Sequence, residues 1–353
     1  MDEEALRAWF ERQIASGAFS GVALVWRGAE PVFTHAGGLT HRGLAVPITD
    51  RTRFGIASVG KMVTATTMLR LVDRGLLRLD QPLLEILPGA QRPTALTAAH
   101  TVHHLFSHTS GLADYYDDEP GGWAALWDRM PMYHARRPVD LLSLFLDRPA
   151  VTAPDERFQY VNANFVLAGL VIEAVTGRPW DEVTKDEVFG PAAMTDAGVE
   201  ALDEDPARLA TGYLVADQPG GQPRGNTYSV TVKGMPDGGM IATASDLARF
   251  IGALLGGSLV SPALLTAMTR PQGPTSSSLE QYGYGCWLVV EDGRVTIIGH
   301  GGSDPGVSAR VAHHLDSGTT IVVLCNQDHG SWAATRQITD ALGLHDPRDV
   351  PIS

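Results

Sequence analysis

Residues 53–65 read Arg-Phe-Gly-Ile-Ala-Ser-Val-Gly-Lys-Met-Val-Thr-Ala, and they stand where the hydrophobic pattern changes from strand to helix. Upstream, the runs Gly21–Trp26 and Pro31–Thr34 flank the turn 27–30 and predict a β-hairpin. Downstream, Met62, Ala65, Met68, Leu69 and Val72 recur at helical steps until Gly75 supplies a stop. The segment admits two chemical readings. Gly55-x4-Gly60-Lys61 comes close to a phosphate-binding loop. That loop needs Ser or Thr after its lysine, because the hydroxyl holds magnesium, and here Met62 offers only a thioether. Nucleotide binding is therefore set aside.

The other reading is Ser58-x-x-Lys61 at the start of an apolar helix, which puts Lys61 one turn on and on the same face as Ser58. An ammonium desolvated near polar donors loses its proton more easily and can relay the proton of a serine hydroxyl. The helix N-terminus adds positive potential, and the Ser58 N–H can face a developing oxyanion. The plain alternative is a capping serine and a surface lysine. Lysine is scarce, however: of 27 Lys plus Arg only Lys61, Lys185 and Lys233 are lysines, so Lys61 is poor filler in an arginine-biased chain. Lys185 and Lys233 read as surface residues.

Further out, Thr101 caps a short helix through Phe106, and Pro138 opens another across Leu141, Leu142 and Phe145. A third runs from Asn164 to Thr176 and closes at Gly177. Ser245-Asp246 and Ser261-Pro262 start two more. Strands return around Glu291-Asp292-Gly293, at Val307–Ala312 and at Thr319–Leu324, before a closing helix Ser331–Leu342. Strands at both ends and helices in the middle predict an α+β fold: an antiparallel β-sheet flanked by helices, with an inserted helical lobe. Residues 1–57 and 235–353 would form the sheet domain, and 58–234 the mostly helical lobe, with the candidate site between them.

The chain has 353 residues, 44% hydrophobic, with a formal net charge of −13. The acidic balance argues against nucleic acid, which needs clustered cations, and against a basic membrane-surface helix. The partner expected is a small molecule; the oligomeric state stays open. Leu6, Trp9, Phe10 and Ile14 share one face of an acidic, amphipathic first helix, which does not resemble a signal peptide. The longest apolar segments are too short to span a bilayer, so the expectation is a cytoplasmic chain, or an extracytoplasmic one if a leader was removed. Cys286 and Cys325 are too few for a disulfide framework and read as two reduced core thiols. His103, His104 and His108 have no carboxylate or Cys at ligand spacing, so no metal and no cofactor are expected. Tyr115, Tyr116, Trp123 and Trp127 suit equally a pocket wall or the core of the helical lobe. No Gly-x-Ser-x-Gly elbow occurs, which leaves an α/β-hydrolase without support.

Five segments in order resemble the serine β-lactamases and penicillin-binding proteins, in particular the class C β-lactamase branch with its D-peptidase and esterase relatives. RFGIASVGKMVTA looks like the nucleophile motif, and TVHHLFSHTSGL from Thr101 is similar to the branch's HLLSHTSGL segment. RFQYVNANFVLAGLVIEAVTG contains Tyr160-Val161-Asn162, matching Tyr-x-Asn. DGGMIATASDLARF from Asp237 matches the Gly-Gly segment before a helix, and GHGGSDPG places His300-Gly301-Gly302 at the third motif, Lys-Thr-Gly. The resemblance implies a β-lactamase/transpeptidase-like fold and a serine hydrolase working through an acyl-enzyme on small esters, D-amino-acid amides and peptides, or β-lactams. Ser58 would attack, with Lys61 and Tyr160 handling protons in an order the residues leave open. Asn162 would orient Lys61 or a substrate amide. Gly301 and Gly302 would let substrate lie against the strand edge, and the Ser303 N–H would complete the oxyanion hole. The family's lysine at the third motif holds charge near a substrate carboxylate; His300 replaces it here and is largely neutral, so β-lactam recognition should weaken. The alternatives are a genuine class C-type β-lactamase or D-alanyl-D-alanine carboxypeptidase, and a non-catalytic relative that binds a ligand in the same pocket.

Overall fold

The computed structural model describes residues 1–28, 30–116, 122–215, 221–273 and 275–349. Seven strands form one sheet: β1 (Gly21–Arg27), β2 (Glu30–Gly37), β3 (Glu280–Tyr282), β4 (Trp287–Glu291), β5 (Arg294–Asp304), β6 (Val307–His314) and β7 (Thr319–Cys325). Their spatial order is β2-β1-β7-β6-β5-β4-β3, antiparallel at every step. β1 and β7 pair from Gly21↔Cys325 to Arg27↔Thr319, which joins the two ends of the chain inside the sheet. The helices that matter for the site are α1 (Glu3–Ala15), α2 (Gly60–Asp73), α3 (Val102–Ser107), α4 (Asn162–Thr176), α5 (Ala244–Leu255) and α6 (Ser331–Ala341). No helix among the described residues is long and apolar enough to cross a membrane.

Strand period decides which helices cover which face. Every residue of β7 is buried. Ile321, Val323 and Cys325 pack with Ala23, Val25 and Phe33 against Leu6 and Phe10 of α1 and Ala334 and Ile338 of α6. The alternate residues, Val322 and Leu324 with Val22 and Leu24, join the larger core that holds Met62 and Leu69 of α2 and Leu247 and Ile251 of α5. A strand covered on both faces reads as a continuous apolar run, and each such side chain stabilises by about 1.5–3 kcal/mol. Cys286 and Cys325 are buried free thiols, Cys286 pushed up to about 12 by burial.

Several boundaries differ from the sequence expectation for local reasons. The helix at Pro138 stops at Leu141 and continues as a 3-10 turn, Leu142–Leu144, because Leu146 O must turn back to accept from Thr94 N. α5 is capped by Thr243 rather than Ser245: the Thr243 hydroxyl accepts from Asp246 N while Asp246 Oδ2 accepts from Thr243 N. α4 begins at Asn162, two residues early, for a reason that belongs to the site. Lys185 is exposed, whereas Lys233 is half-buried and donates to Asp181 at 2.7 Å.

α4 is buried without interruption from Ala163 to Ile172, which makes it the axis of the helical region rather than an amphipathic surface helix. At its middle a Cβ on Gly169 would lie 2.3 Å from Pro236 Cγ and 3.1 Å from Pro138 Cγ. The missing side chain lets the 236–237 segment approach the helix. Gly169→Ala sets a helix-propensity gain of about 1 kcal/mol against an overpacking cost of about 1–3 kcal/mol. The expected net is a loss of stability and a lower melting temperature by calorimetry; a stabilised variant would show that the Pro236 contact yields freely.

Candidate active site

The two-residue strand Phe54–Gly55 pairs with Ile241–Ala242, and Ile56 N donates to Met240 O. The chain then makes a 3-10 turn, Ala57–Val59, before α2, so Ser58 sits on this turn rather than in the helix proper. Ala57 has φ of 45°, a left-handed conformation that costs an alanine about 1 kcal/mol or more. Close backbone neighbours hold it there. A Cβ on Gly302 of β5 would lie 2.7 Å from Ile56 O and 2.9 Å from Ser58 N, and one on Gly238 would lie 3.2 Å from Ala57 C. Gly302 is thus demanded by the chain's own backbone, whereas a Cβ on Gly301 would meet nothing within 4 Å.

Lys61 is fully buried on the first turn of α2. Its Nζ donates to Ser58 Oγ at 2.9 Å, to Asn162 Oδ1 at 2.8 Å and to Asp237 O at 2.6 Å. An ammonium has three N–H bonds, and each has an acceptor here. The third acceptor is a carbonyl on the segment that Gly169 admits; its neighbour Pro236 O accepts from Thr64 of α2.

Asn162 is itself held by a residue that the spacing of motifs did not reveal. The buried Asp114 accepts from Asn162 N (2.8 Å), Asn162 Nδ2 (3.1 Å), Ala163 N (3.0 Å) and Tyr115 N (2.8 Å). It therefore caps α4, satisfying its first orphan donors, and turns the Asn162 carbonyl toward Lys61. Burial pushes the Asp114 carboxyl up to about 6, with those N–H bonds pulling the other way and Asp237 adding to the rise. Tyr115, from the same turn, donates to Asp237 Oδ2 at 2.5 Å, and burial pushes its hydroxyl well up.

Tyr160 brings its ring rather than its hydroxyl to the lysine: Nζ lies 5.0 Å from the ring centroid. The ring is packed by His108 at 4.4 Å and stacks on Trp287 at 6.3 Å. His108 ends α3 in a left-handed conformation and accepts from Val161 N, which places it under the Tyr160–Asn162 turn. His103 and His104 instead approach Asp155, and among the described residues no group of three His, Cys, Asp or Glu is placed to hold a metal ion. His300 is buried, with Nε2 3.1 Å from the Tyr282 hydroxyl; burial and the charge of Lys61 push it down to about 3. It is uncharged at neutral pH.

A cleft of about 630 Å³ opens onto Ser58, Tyr160, Asn162 and Ser303. Tyr115 and Tyr116 line it, while Trp127 is buried and donates to Ser229 O. The Trp123 side chain and residues 216–220 lie outside the described residues. His300, Gly301 and Gly302 line a separate cavity of about 380 Å³ that meets the cleft at Ser303. Ser58, Lys61, Tyr160 and Asn162 are thus brought together, and the His300 ring lies 6.1 Å from that of Tyr160.

The Beta-lactamase family profile matches residues 6–344, and the chain belongs to that family. It is a β-lactamase-fold hydrolase, with an esterase and D-aminopeptidases among its relatives. It is 27% identical to penicillin-binding protein 4* of Bacillus subtilis over 98% of this chain and 77% of that one. It is 35% identical to esterase EstB of Burkholderia gladioli over 60% of this chain and 52% of the esterase. The crystal structure of a penicillin-binding protein from Bacillus halodurans superposes with a TM-score of 0.87 at 36% identity, covering 94% of this chain and 99% of that one.

The Asp114 carboxyl, raised from 3.8 to about 6 on folding, binds its proton more tightly in the native state. Its contribution to stability is full below the unfolded value and is lost as pH rises through about 6. Wild type should therefore lose stability relative to Asp114→Asn by at most about 3 kcal/mol between about pH 4 and about pH 7. Urea unfolding across that range checks it; a pH-independent difference would remove Asp114 as the titrating group.

Proposed function

We propose that this chain is a serine hydrolase whose nucleophile is Ser58 and whose product passes through an acyl-enzyme. The observation that carries it is the 2.9 Å bond between Lys61 Nζ and Ser58 Oγ at the wall of the cleft. Ser58 Oγ attacks a carbonyl carbon, and the negative charge that gathers on the carbonyl oxygen is met by the Ser58 and Ser303 amides. The serine proton enters the Lys61–Tyr160 pair and leaves on the departing oxygen or nitrogen as that bond breaks. The pair takes that proton only in the state that already lacks one, with Lys61 as a free amine or Tyr160 as a phenolate, since an ammonium beside a neutral phenol has no basic lone pair to offer. Water then attacks the acyl carbon, gives its proton to the same pair, and the proton returns to Ser58 Oγ as the acid departs.

The substrates that fit are small esters and D-amino-acid amides or peptides, with β-lactams weaker. An uncharged His300 supplies no counter-charge for the carboxylate of a β-lactam. A fluorophosphonate should add its mass at Ser58 by mass spectrometry, and a penicillin should do so slowly. Failure of both reagents to modify Ser58 would overturn the catalytic assignment in favour of a ligand-binding relative. Lys61→Ala should slow fluorophosphonate labelling by about a hundredfold or more while a cooperative melt persists; labelling at the wild-type rate would take Lys61 out of the mechanism. Turnover of a p-nitrophenyl ester should exceed that of a chromogenic cephalosporin, and the reverse order would invert the substrate ranking.

A further inference from the structure

The cleft has a one-sided charge. Among the described residues that line it, Asp114, Glu200, Asp237 and Asp304 are acidic and none is Lys, Arg or His. Two of the four are accounted for within the chain. Glu200 takes Arg53 Nη2 on both oxygens, at 2.6 and 2.5 Å, and the Asp114 oxygens are filled by four N–H donors. Asp237 and Asp304 are not. Asp237 is only 6% exposed, and while its Oδ2 accepts from Tyr115, its Oδ1 has no hydrogen-bond partner. A buried carboxylate oxygen without a donor is costly, and native structures rarely keep one without use for it.

Asp304 ends β5, one residue beyond Ser303 and paired with Val307 across the turn. Its carboxylate has no hydrogen bond or ion pair among the described residues. Asp304 is half-buried, and burial, opposed by the Lys61 charge and reinforced by that of Asp237, raises it to about 6. One buried ammonium, already bonded to three oxygens, thus faces two carboxylates with acceptor capacity to spare.

We infer that the cleft selects esters and amides carrying a positively charged ammonium group close to the scissile carbonyl, and that Asp304, backed by Asp237, determines this specificity. The inference rests on Ser58 being the nucleophile. An ammonium in the cleft meets the Asp304 carboxylate directly and is drawn further by the charge of Asp237 behind it, whose Oδ1 is itself enclosed. An anionic substrate meets the same pair as like charges, which adds to the effect of an uncharged His300. Asp304 acts on binding and orientation, while proton transfer stays with Lys61 and Tyr160.

The test uses the full chain and two isosteric pairs, with Ser58 labelling by fluorophosphonate measured on every preparation. Alanine methyl ester, in both enantiomers, is compared with methyl isobutyrate, and β-alanine methyl ester with methyl butyrate, each corrected for its alkaline hydrolysis rate. The charged member of at least one pair should be favoured about tenfold or more in kcat/KM, a charge-assisted hydrogen bond's worth. Asp304→Asn should reduce that ratio about tenfold while Ser58 still labels; Asp237→Asn, at the residue whose carbonyl holds Lys61, is read by the ratio alone, which should also fall about tenfold. Ser58 that labels normally with no preference for the cation in either pair overturns the specificity alone. So does a preference that both variants retain. Ser58 that does not label and no turnover of any ester overturns the hydrolase assignment, and the specificity falls with it.

Discussion

The constraint on which the site depends is the burial of one ammonium. Taking a lysine wholly out of water costs several kcal/mol unless its donors are satisfied by well-placed acceptors. Lys61 finds those acceptors on three parts of the chain that are far apart in sequence: Ser58 on the preceding turn, Asn162 at the head of α4, and the Asp237 carbonyl. Each acceptor has its own support. Gly302 and Gly238 let backbone crowd around the left-handed Ala57, Asp114 turns the Asn162 side chain, and Gly169 admits the Pro236–Asp237 segment. A small change at any of these places moves an acceptor away from Nζ, so the geometry around Ser58 is a property of the whole packing rather than of its own helix.

The same ammonium organises the electrostatics. Burial, with that charge adding to it, holds His300 and His108 uncharged, and the ammonium opposes the rise of Asp237 and Asp304. Where the related motif carries a second lysine, this chain carries a neutral imidazole bonded to Tyr282, so the charge beside the cleft becomes net negative. That inversion separates this site from one built to hold a substrate carboxylate, and it uses no change at Ser58, Lys61 or Tyr160.

Much of this was legible in the sequence, because local rules and ordered motifs carry it. The α+β class followed from apolar strand runs beside turn signals at both ends and helical periods between them, and the resemblance through Ser58-x-x-Lys61, Tyr160-Val161-Asn162 and His300-Gly301-Gly302 pointed to the family that the chain belongs to. Less legible were features set by partners distant in the chain. Asp114 follows a turn with no spacing signal, yet it caps a helix that starts 48 residues later. The start of α4 at Asn162, the cap of α5 at Thr243 and the break at Leu142 all follow from hydrogen bonds that no period encodes.

The sequence by itself determined the class of fold, the pairing of a serine with a lysine one turn on, and the replacement of a charged residue by His300, since all three are written in residue type and spacing. Only the tertiary structure decided that Lys61 is fully buried, that Gly302 serves the chain's own backbone, that Tyr160 presents its ring to the ammonium, and that Asp237 Oδ1 is left without a donor. Burial and hydrogen-bond satisfaction are sums over neighbours from many segments, and a linear pattern carries no record of which distant segments those will be.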